Sequence, residues 1–309
     1  MKPRKIALLS AIAILLCIFI VQLVNSSQGS IREMKLSAKP DTILIAQSGS
    51  SVALTQVDGA WVVGDQKYPA DASAVTDMIN AIVDVKALDT VAKANNDATL
   101  ARYGLDAGHV IAVKASKGGK DLRTILVGKD APTYSQTYAT LNGGKSIYLV
   151  SGSLHGIFGK TIDALRSTVV YNVKSDDIVK VSVSSPEGDW ALAKGGTPPA
   201  WSLAPATLGT SPGLAARSVI DSAKAASWVQ SLNQLNVDSW LPDNALLPNT
   251  RPTTVTIALN DREITVNVYA SGSGKNLKYL CSSNVTPYKF TLGAYGVSLF
   301  TKRLSDLEK

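Results

Sequence analysis

Short turn sequences between strand-like segments most strongly restrict the fold of this chain. Asp58–Gly59, Lys117–Lys120 and Asn142–Lys145 each separate two segments rich in Val, Ile, Leu and Thr. Turns of this length join antiparallel strands, whereas parallel strands need a crossover connection of a dozen or more residues. The sequence therefore predicts antiparallel sheets rather than a doubly wound parallel sheet.

The first 40 residues predict a membrane anchor followed by a linker. Residues 1–5 are basic, Ile6–Val24 is a stretch of nineteen residues without a charge, and residues 25–40 are polar. About 20 apolar residues span the hydrocarbon core of a bilayer, and the apolar part of a signal peptide is usually shorter. The positive-inside rule places residues 1–5 in the cytoplasm. We therefore predict an uncleaved transmembrane anchor over 6–24; a cleaved, secreted form is the alternative.

Apolar residues at helical spacing predict four helices after the anchor. The first follows Asp71, which is placed to cap its N-terminus, and a short second helix spans 97–102. The other two are predicted over 214–235 and 293–307. These helices are expected to cover one face of each sheet.

The order of the predicted elements occurs twice along the chain. Strands, a helix and an antiparallel meander occupy residues 41–170, and a similar order recurs over 178–309. Such repetition is typical of a duplicated structural unit. We therefore predict an α+β fold, in which two tandem related units of antiparallel β-sheet are covered by helices and follow an N-terminal transmembrane helix.

Charge and cysteine content restrict the classes of partner. The formal net charge is +7, but the chain has no run of five like charges, so the sequence gives little support for nucleic-acid binding. Cys281 is the only cysteine outside the predicted anchor. No disulfide can therefore form within the predicted ectodomain, and Cys281 is expected to be a buried apolar side chain.

The sequence contains no recognisable catalytic, metal or cofactor motif. His109 and His155 are the only histidines, too few for an H-E-x-x-H or zinc-finger site. Gly152–Gly156 has the wrong spacing for a G-x-S-x-G nucleophile turn, and Ser271–Lys275 lacks the first glycine of a phosphate-binding loop. We predict a non-enzyme without cofactor or metal. The sequence also leaves open an envelope hydrolase, which would need a polar pocket around His155 or a pair of carboxylates.

Four side chains are the candidates for contact with a ligand or partner. Three are lysines at predicted loop tips, and the fourth is the tryptophan expected to be the most exposed of the five; they are Lys120, Lys145, Lys275 and Trp240. A lysine at a loop tip can contact a polyanion, and tryptophan offers a flat apolar surface with one hydrogen-bond donor. The other tryptophans are predicted to pack in the core.

Six short motifs occur in an order that resembles the domain-of-unknown-function 4340 family. They are Trp61, Tyr68–Asp71, Tyr103–Asp106, Ile125–Lys129, Tyr138 and Ile147–Val150. The resemblance implies a membrane-anchored, extracytoplasmic bacterial protein, of a kind often linked with gliding-type ABC transporter systems, and it implies no catalytic residue. The second repeat departs from the pattern, because 207–213 (TLGTSPG) stands where Tyr68–Asp71 would be expected.

These observations together predict a non-catalytic protein held in the bacterial cytoplasmic membrane by a single pass, with a periplasmic ectodomain. We expect an auxiliary or scaffold component that is associated with an ABC-type transporter or a cell-envelope assembly. The alternative is an extracytoplasmic module that binds a glycan or peptide in the cleft between the repeats. The oligomeric state stays open.

Overall fold

The computed structural model describes residues 32–204, 219–274 and 277–309. The described residues up to Ser167 form one compact unit, and those from Thr168 onward form a second. This division falls near residue 170, the predicted end of the first repeat. Each unit is described by itself below.

The described part of the first unit is built on a 10-stranded antiparallel sheet. Its strands are β1 (Arg32–Lys35), β2 (Thr42–Gln47), β3 (Ser50–Val57), β4 (Ala60–Val63), β5 (Tyr68–Pro69), β6 (Asp84–Lys93), β7 (Ile111–Lys117), β8 (Lys120–Asp130), β9 (Gln136–Leu141) and β10 (Ser146–Ser151). Their order across the sheet is β1-β6-β10-β9-β8-β7-β2-β3-β4-β5. The hairpins predicted at Asp58–Gly59, Lys117–Lys120 and Asn142–Lys145 are confirmed.

The described part of the first unit also contains four short helices. They are α1 (Ala72–Val83), α2 (Asp97–Arg102), α3 (Leu154–Phe158) and α4 (Ile162–Leu165). Helix α1 begins after Asp71 because the Asp71 carboxylate accepts a hydrogen bond of 2.7 Å from the Ala74 amide, as a helix cap does. Its buried Met78 and Ile82 lie at helical spacing and belong to the core of the unit.

The buried Arg123 joins β8 to two other elements. Its side chain is 5% exposed, and its guanidinium donates to the carbonyl of Ile82 near the end of α1 and, at 2.8 Å, to the carbonyl of Met34 on β1. Strand β1 lies inside the range 25–40 that was predicted as a polar linker, and it pairs with β6. The part of that range which the structure describes therefore contributes a strand to the sheet.

The second unit contains an 8-stranded antiparallel sheet within its described residues. Its strands are β12 (Ile178–Ser185), β13 (Gly188–Gly195), β14 (Ala200–Leu203), β16 (Ser239–Trp240), β17 (Thr253–Leu259), β18 (Glu263–Ser271), β19 (Lys278–Ser283) and β20 (Thr286–Thr291), in the order β14-β13-β12-β17-β18-β19-β20-β16. A separate pair joins β11 (Val169–Asn172) to β15 (Gln234–Asn236). The described part of the unit also contains helices α5 (Ser222–Ser231) and α6 (Ala294–Phe300) and two short 3-10 turns, Ser175–Asp177 and Leu304–Leu307.

Seven strands follow the same plan in the two units. The first sheet contains the order β10-β9-β8-β7-β2-β3-β4, and the second contains β20-β19-β18-β17-β12-β13-β14. In both sheets a four-strand meander lies beside three strands that come earlier in the chain, β2–β4 in the first unit and β12–β14 in the second. The plan is therefore the same although the two sequences share few residues.

The predicted α+β class is wrong, because strands dominate the structure. The described residues are 48% strand and 20% helix. Consecutive hairpins let each strand follow the last without a helix, so the sheets grow wide while the longest described helix, α1, has 12 residues. Of the helix predicted over 214–235, residues 214–218 lie outside the described ranges, and the described part is helical only over Ser222–Ser231. The helix predicted over 293–307 is shorter, at Ala294–Phe300.

No helix in the described ranges is both long and apolar enough to cross a membrane. The anchor predicted over 6–24 lies outside those ranges.

Candidate functional site

The motif Tyr68–Asp71 joins the start of α1 to the end of the first unit. The Asp71 amide donates to the Leu165 carbonyl at 2.8 Å, and Ala70 forms an isolated antiparallel bridge with Arg166. The guanidinium of Arg166 lies 3.6 Å from the centre of the Tyr68 ring, which is a cation–π geometry. Since Arg166 is buried, the aromatic face takes part of the place of water around its charge. We call Tyr68–Asp71 with Leu165–Ser167 the first joint.

The second unit repeats this joint with different residues. The Asp221 amide donates to the Leu307 carbonyl at 2.9 Å, and Ile220 bridges Glu308. The Asp221 carboxylate caps α5 by accepting from the amides of Ala223 and Lys224. Hydrogen bonds from these amides lower the pKa of Asp221. The counterpart of Asp71 is therefore Asp221, whereas the range 207–213, which the sequence pattern placed at the position of the motif, lies outside the described residues.

Two further motif segments of the first unit interlock through glycines. The Lys129 amide donates to the Tyr103 carbonyl at 3.0 Å. A Cβ atom on Gly128 would lie 2.3 Å from the Tyr103 oxygen, and one on Gly104, where φ is +68°, would lie 2.8 Å from the Lys129 nitrogen. Neither approach leaves room for a side chain, so Gly104 and Gly128 are both required by packing.

The Tyr103 ring also contacts the next motif residue, Tyr138. The two ring centroids lie 4.8 Å apart at an angle of 67°, an edge-to-face arrangement that contributes about 0.5–1.5 kcal/mol beyond buried area. Leu105, in the same motif segment as Tyr103, is 5% exposed and lies next to Gly128. Motif segments far apart in sequence are thus packed on one another, which explains why they occur together.

Asp106 and His109 form an exposed carboxylate–imidazole pair at the end of this segment. His109 Nδ1 lies 2.8 Å from Asp106 Oδ2, and the hydrogen bond from His109 lowers the pKa of the Asp106 carboxyl. A carboxylate orients a histidine in this way in serine hydrolases. Here the nearby Ser48 hydroxyl donates instead to the Gly108 carbonyl, and the imidazole is 76% exposed. The geometry resembles a solvated turn more closely than a nucleophile activated by a base.

The side chains of Ser153 and His155 have different surroundings. The Ser153 hydroxyl lies 3.3 Å from an Asp130 carboxylate oxygen and accepts from the Gly156 amide, so that Ser153 caps α3. The fully buried Thr137 hydroxyl donates to Asp130 Oδ1 at 2.9 Å. His155 is an exposed residue of α3. Hydroxyl and carboxylate groups here hold a helix start in place.

The predicted contact lysines occupy exposed hairpin tips where the structure describes them. Lys120 begins β8, and the adjoining turn is tied to the sheet by a hydrogen bond from the Gly118 amide to Asp41. Lys145 precedes β10, and its carbonyl accepts from the Ala94 amide at 2.7 Å. Lys275 lies outside the described residues. The binding role of these lysines stays a prediction.

Trp240 is half-buried at the edge of the second sheet. It lies opposite Phe290 and packs against the core of the unit. Its ring centroid is 6.0 Å from that of Tyr288 and 5.9 Å from that of Phe290, and both contacts are edge-to-face. The ring therefore offers less free surface than the sequence suggested, and its role in binding stays a prediction.

The second unit buries its thiol and three indole rings, those of Trp190, Trp201 and Trp228, in its core. Cys281 is fully buried, and this burial raises the pKa of its thiol to about 12. Trp190 and Trp228 lie 5.4 Å apart, and the Trp228 indole donates to the Leu299 carbonyl. Among the residues that the structure describes, no three His, Cys, Asp or Glu side chains gather as metal ligands do.

A comparison with known proteins supports the family that the order of the motifs indicates. The chain has no significant match among curated proteins or among solved structures. A family model described as domain of unknown function (DUF4340) matches residues 61–254, which is more than half of the 309 residues. The match begins at Trp61 and includes the first joint and the interlocked glycines. The chain therefore belongs to the domain-of-unknown-function DUF4340 family.

Proposed function

We propose that this protein is a non-catalytic, membrane-anchored extracytoplasmic component that assists an ABC-type transporter or a cell-envelope assembly. The uncharged stretch Ile6–Val24 after a basic N-terminus supports the anchor and the orientation. The wide sheet of each unit offers a surface for contacts with other proteins.

The proposal is supported by the structural roles of the residues in the family motif. Tyr68 covers a buried arginine, Asp71 caps a helix, and Gly104 and Gly128 permit a close backbone approach. Each of these residues has a mechanical role within the first unit. Motif residues that served a substrate would be expected to converge on an open cleft with unused donors and acceptors.

Co-purification from membranes tests this function. The full chain is isolated in mild detergent through a C-terminal tag, and the proteins that accompany it are identified by mass spectrometry. We expect subunits of a transporter or envelope complex at near-stoichiometric amounts. Recovery of the chain from the membrane fraction without any such subunit would contradict the proposal.

A matched pair of variants shows whether co-purification depends on the anchor. Leu15→Lys with Leu16→Lys places two charges at the centre of the apolar stretch, where each costs about 2.5–3.5 kcal/mol on insertion. Leu15→Ala with Leu16→Ala keeps the stretch uncharged. We expect the lysine variant to lose both membrane retention and its partners, and the alanine variant to keep both.

A further inference from the structure

The outer face of the sheet, which points away from the core, has different chemistry in the two units. The turns after β2 and β12 have the same length, so residues of the two sheets can be matched by their register. Outer-face residues of β2, β7 and β8 then correspond to residues of β12, β17 and β18. Apolar side chains of the first sheet are matched with hydroxyl and amide side chains of the second, as Leu44, Ala46, Ala112 and Leu126 with Ser182, Ser184, Thr254 and Asn267.

Three hydroxyl groups form a row across the middle of the second outer face. Ser182 lies opposite Thr256, and Thr256 lies opposite Thr265. All three residues are half-buried, and their hydroxyls form no hydrogen bond within the part of the chain that the structure describes. Adjacent strands lie about 4.8 Å apart, so the row spans about 10 Å. Each hydroxyl can donate one hydrogen bond and accept two, and this capacity is open to a ligand.

A second row beside the first is held by its own hydrogen bonds. Thr254 Oγ1 donates to Asn267 Oδ1 at 2.8 Å, and Asn267 Nδ2 donates to Ser282 Oγ at 3.3 Å. These bonds fix the orientation of the Asn267 amide. A ligand would therefore meet polar groups that are already oriented, which lowers the entropy lost on binding.

Tyr269 adds an aromatic surface to the same face. It follows Asn267 by two residues on β18 and lies opposite Leu280 on β19. By register it occupies the place of Gly128 in the first sheet, where the Tyr103 segment covers the strand. Tyrosine combines an apolar ring with a polar hydroxyl. The second outer face therefore offers apolar contact beside its hydroxyl rows, as the C–H and O–H groups of a sugar require.

Charge restricts the class of ligand that fits this face. None of the residues in the two rows is charged, and the described charged residues on the strands around them are Lys180, Asp189, Glu263 and Lys289. Asp189 is paired with Arg251 at 2.9 Å, and the ammonium group of Lys289 donates to the Ala245 carbonyl. The face thus suits a ligand that is polar but uncharged.

We propose that the outer face of the second sheet binds an uncharged polysaccharide chain. The chain exchanges hydrogen bonds with Ser182, Thr256 and Thr265 and rests a sugar ring against Tyr269. The five strands from β13 to β19 span about 19 Å, enough for several sugar units. This binding is a further function, and it depends neither on the membrane anchor nor on the partners proposed above.

Methyl NMR of threonine tests the position of the site. The full chain is labelled with carbon-13 at its threonine methyl groups and kept in a detergent whose headgroup is not a sugar. It is titrated to about 10 mM, tenfold above a Kd of about 1 mM, with chitohexaose, cellohexaose or maltohexaose. We expect saturable shifts of the Thr256 and Thr265 signals with at least one of these sugars, and none for Thr55 and Thr124 on the first outer face.

Two results of this titration overturn the proposal. One is the absence of a saturable shift of Thr256 and Thr265 with all three sugars. The other is an equal shift of Thr55 and Thr124, which would mean that the sugars do not distinguish the two outer faces.

Removal of the hydroxyl groups tests the contacts. Thr256→Val with Thr265→Val keeps the side-chain shape and a residue that favours strands, and it should weaken binding at least ~5-fold. Thr55→Val with Thr124→Val makes the same change on the first outer face and should leave binding unchanged. Binding by both variants is read from the Thr254 methyl signal, and an unchanged Tm shows that each is folded. Ser182→Ala tests the same row if the double valine variant does not fold. Unchanged binding after loss of these hydroxyls contradicts the proposed contacts.

Heparin, a polyanionic polysaccharide, tests the class of ligand. It should shift the Thr256 and Thr265 signals less than the uncharged sugars do, because the two rows carry no cation. A larger shift with heparin contradicts the assignment to an uncharged chain. None of these outcomes bears on co-purification with a transporter or envelope subunit, so each proposal can fail alone.

Discussion

Single residues of this protein show how family motifs can be structural. Gly128 has no room for a Cβ because the Tyr103 carbonyl lies 2.3 Å from where that atom would be. A sequence pattern such as Ile125–Lys129 reveals the glycine but gives no hint of the partner that requires it. The requirement arises from a backbone that is distant in sequence.

Gly128→Ala is expected to destabilise the first unit. The new methyl group forces the Tyr103 segment away from β8, which should lower the free energy of unfolding by about 2–3 kcal/mol. The change in the free energy of unfolding is measured by urea denaturation, which is monitored through hydrogen exchange of amides in the first unit. Gly195→Ala is the control, since nothing lies within 4 Å of its added Cβ. Equal effects of the two substitutions would mean that the close approach is not limiting.

The pair of Asp106 and His109 gives a pH-dependent prediction. His109 holds the pKa of Asp106 below its usual value, so His109→Ala should raise that pKa. A lowered carboxyl pKa stabilises the folded state above the pKa of the unfolded chain, and this contribution is lost as pH falls through the folded-state pKa. The destabilisation by His109→Ala should therefore be present at neutral pH and should diminish in acid. Carbon-13 NMR titration of Asp106 measures the shift, and an unchanged pKa contradicts it.

At the scale of elements, hydrogen bonds from Arg123 on β8 connect this strand to the end of α1 and to β1. Its position two residues before Ile125 puts it on the inward face of β8, and the strand alternation could have revealed this. Sequence reasoning missed it because a buried arginine is rare. The end of α1 has free carbonyl groups, and a cation is a favourable partner for them.

Arg123→Met should loosen both elements at once. Removal of the guanidinium leaves the buried Ile82 carbonyl and the part-buried Met34 carbonyl without this donor, which should lower the free energy of unfolding by about 3 kcal/mol. Hydrogen exchange should rise in β1 and the last turn of α1. Arg102→Met, on the exposed end of α2, removes the same charge and should change neither. Unaltered exchange in β1 after Arg123→Met would show that strand pairing alone holds it.

At the scale of the whole molecule, two units repeat one plan with separate apolar cores. The first core centres on residues such as Met78 and Phe158, and the second on residues such as Cys281 and Phe290. Both joints place an aspartate at a helix start and an isolated bridge just before it, at Asp71 and at Asp221. The plan is thus retained where the residues differ.

Cys281 reports on the integrity of the second core. Full burial and a thiol pKa of about 12 should make it unreactive toward a disulfide reagent at neutral pH until the unit opens. The reaction rate should rise in parallel with unfolding in urea. In a Cys17→Ser background, Ser37→Cys adds an exposed thiol and should react at once. Rapid modification of Cys281 without denaturant would contradict the buried position.

The sequence by itself determined the local features of this protein. Turn residues such as Asp58–Gly59 specify hairpins because their backbone preference is local, and Asp71 specifies a helix start because its cap partner is three residues away. The family followed from motif order alone. Local signals led to too large a share of helix in the predicted fold, however. The periodicity of one segment does not show how many strands will join a sheet.

Only the tertiary structure decided which distant residues meet. The contact of Arg166 with Tyr68, the fit of Gly128 against Tyr103 and the correspondence of Asp221 with Asp71 depend on chain segments brought together by the sheets. Packing between elements selects shape and backbone geometry rather than residue identity, so it leaves little trace in a single sequence. The same physical reason explains why Trp240, predicted to be exposed, is half-buried against Phe290.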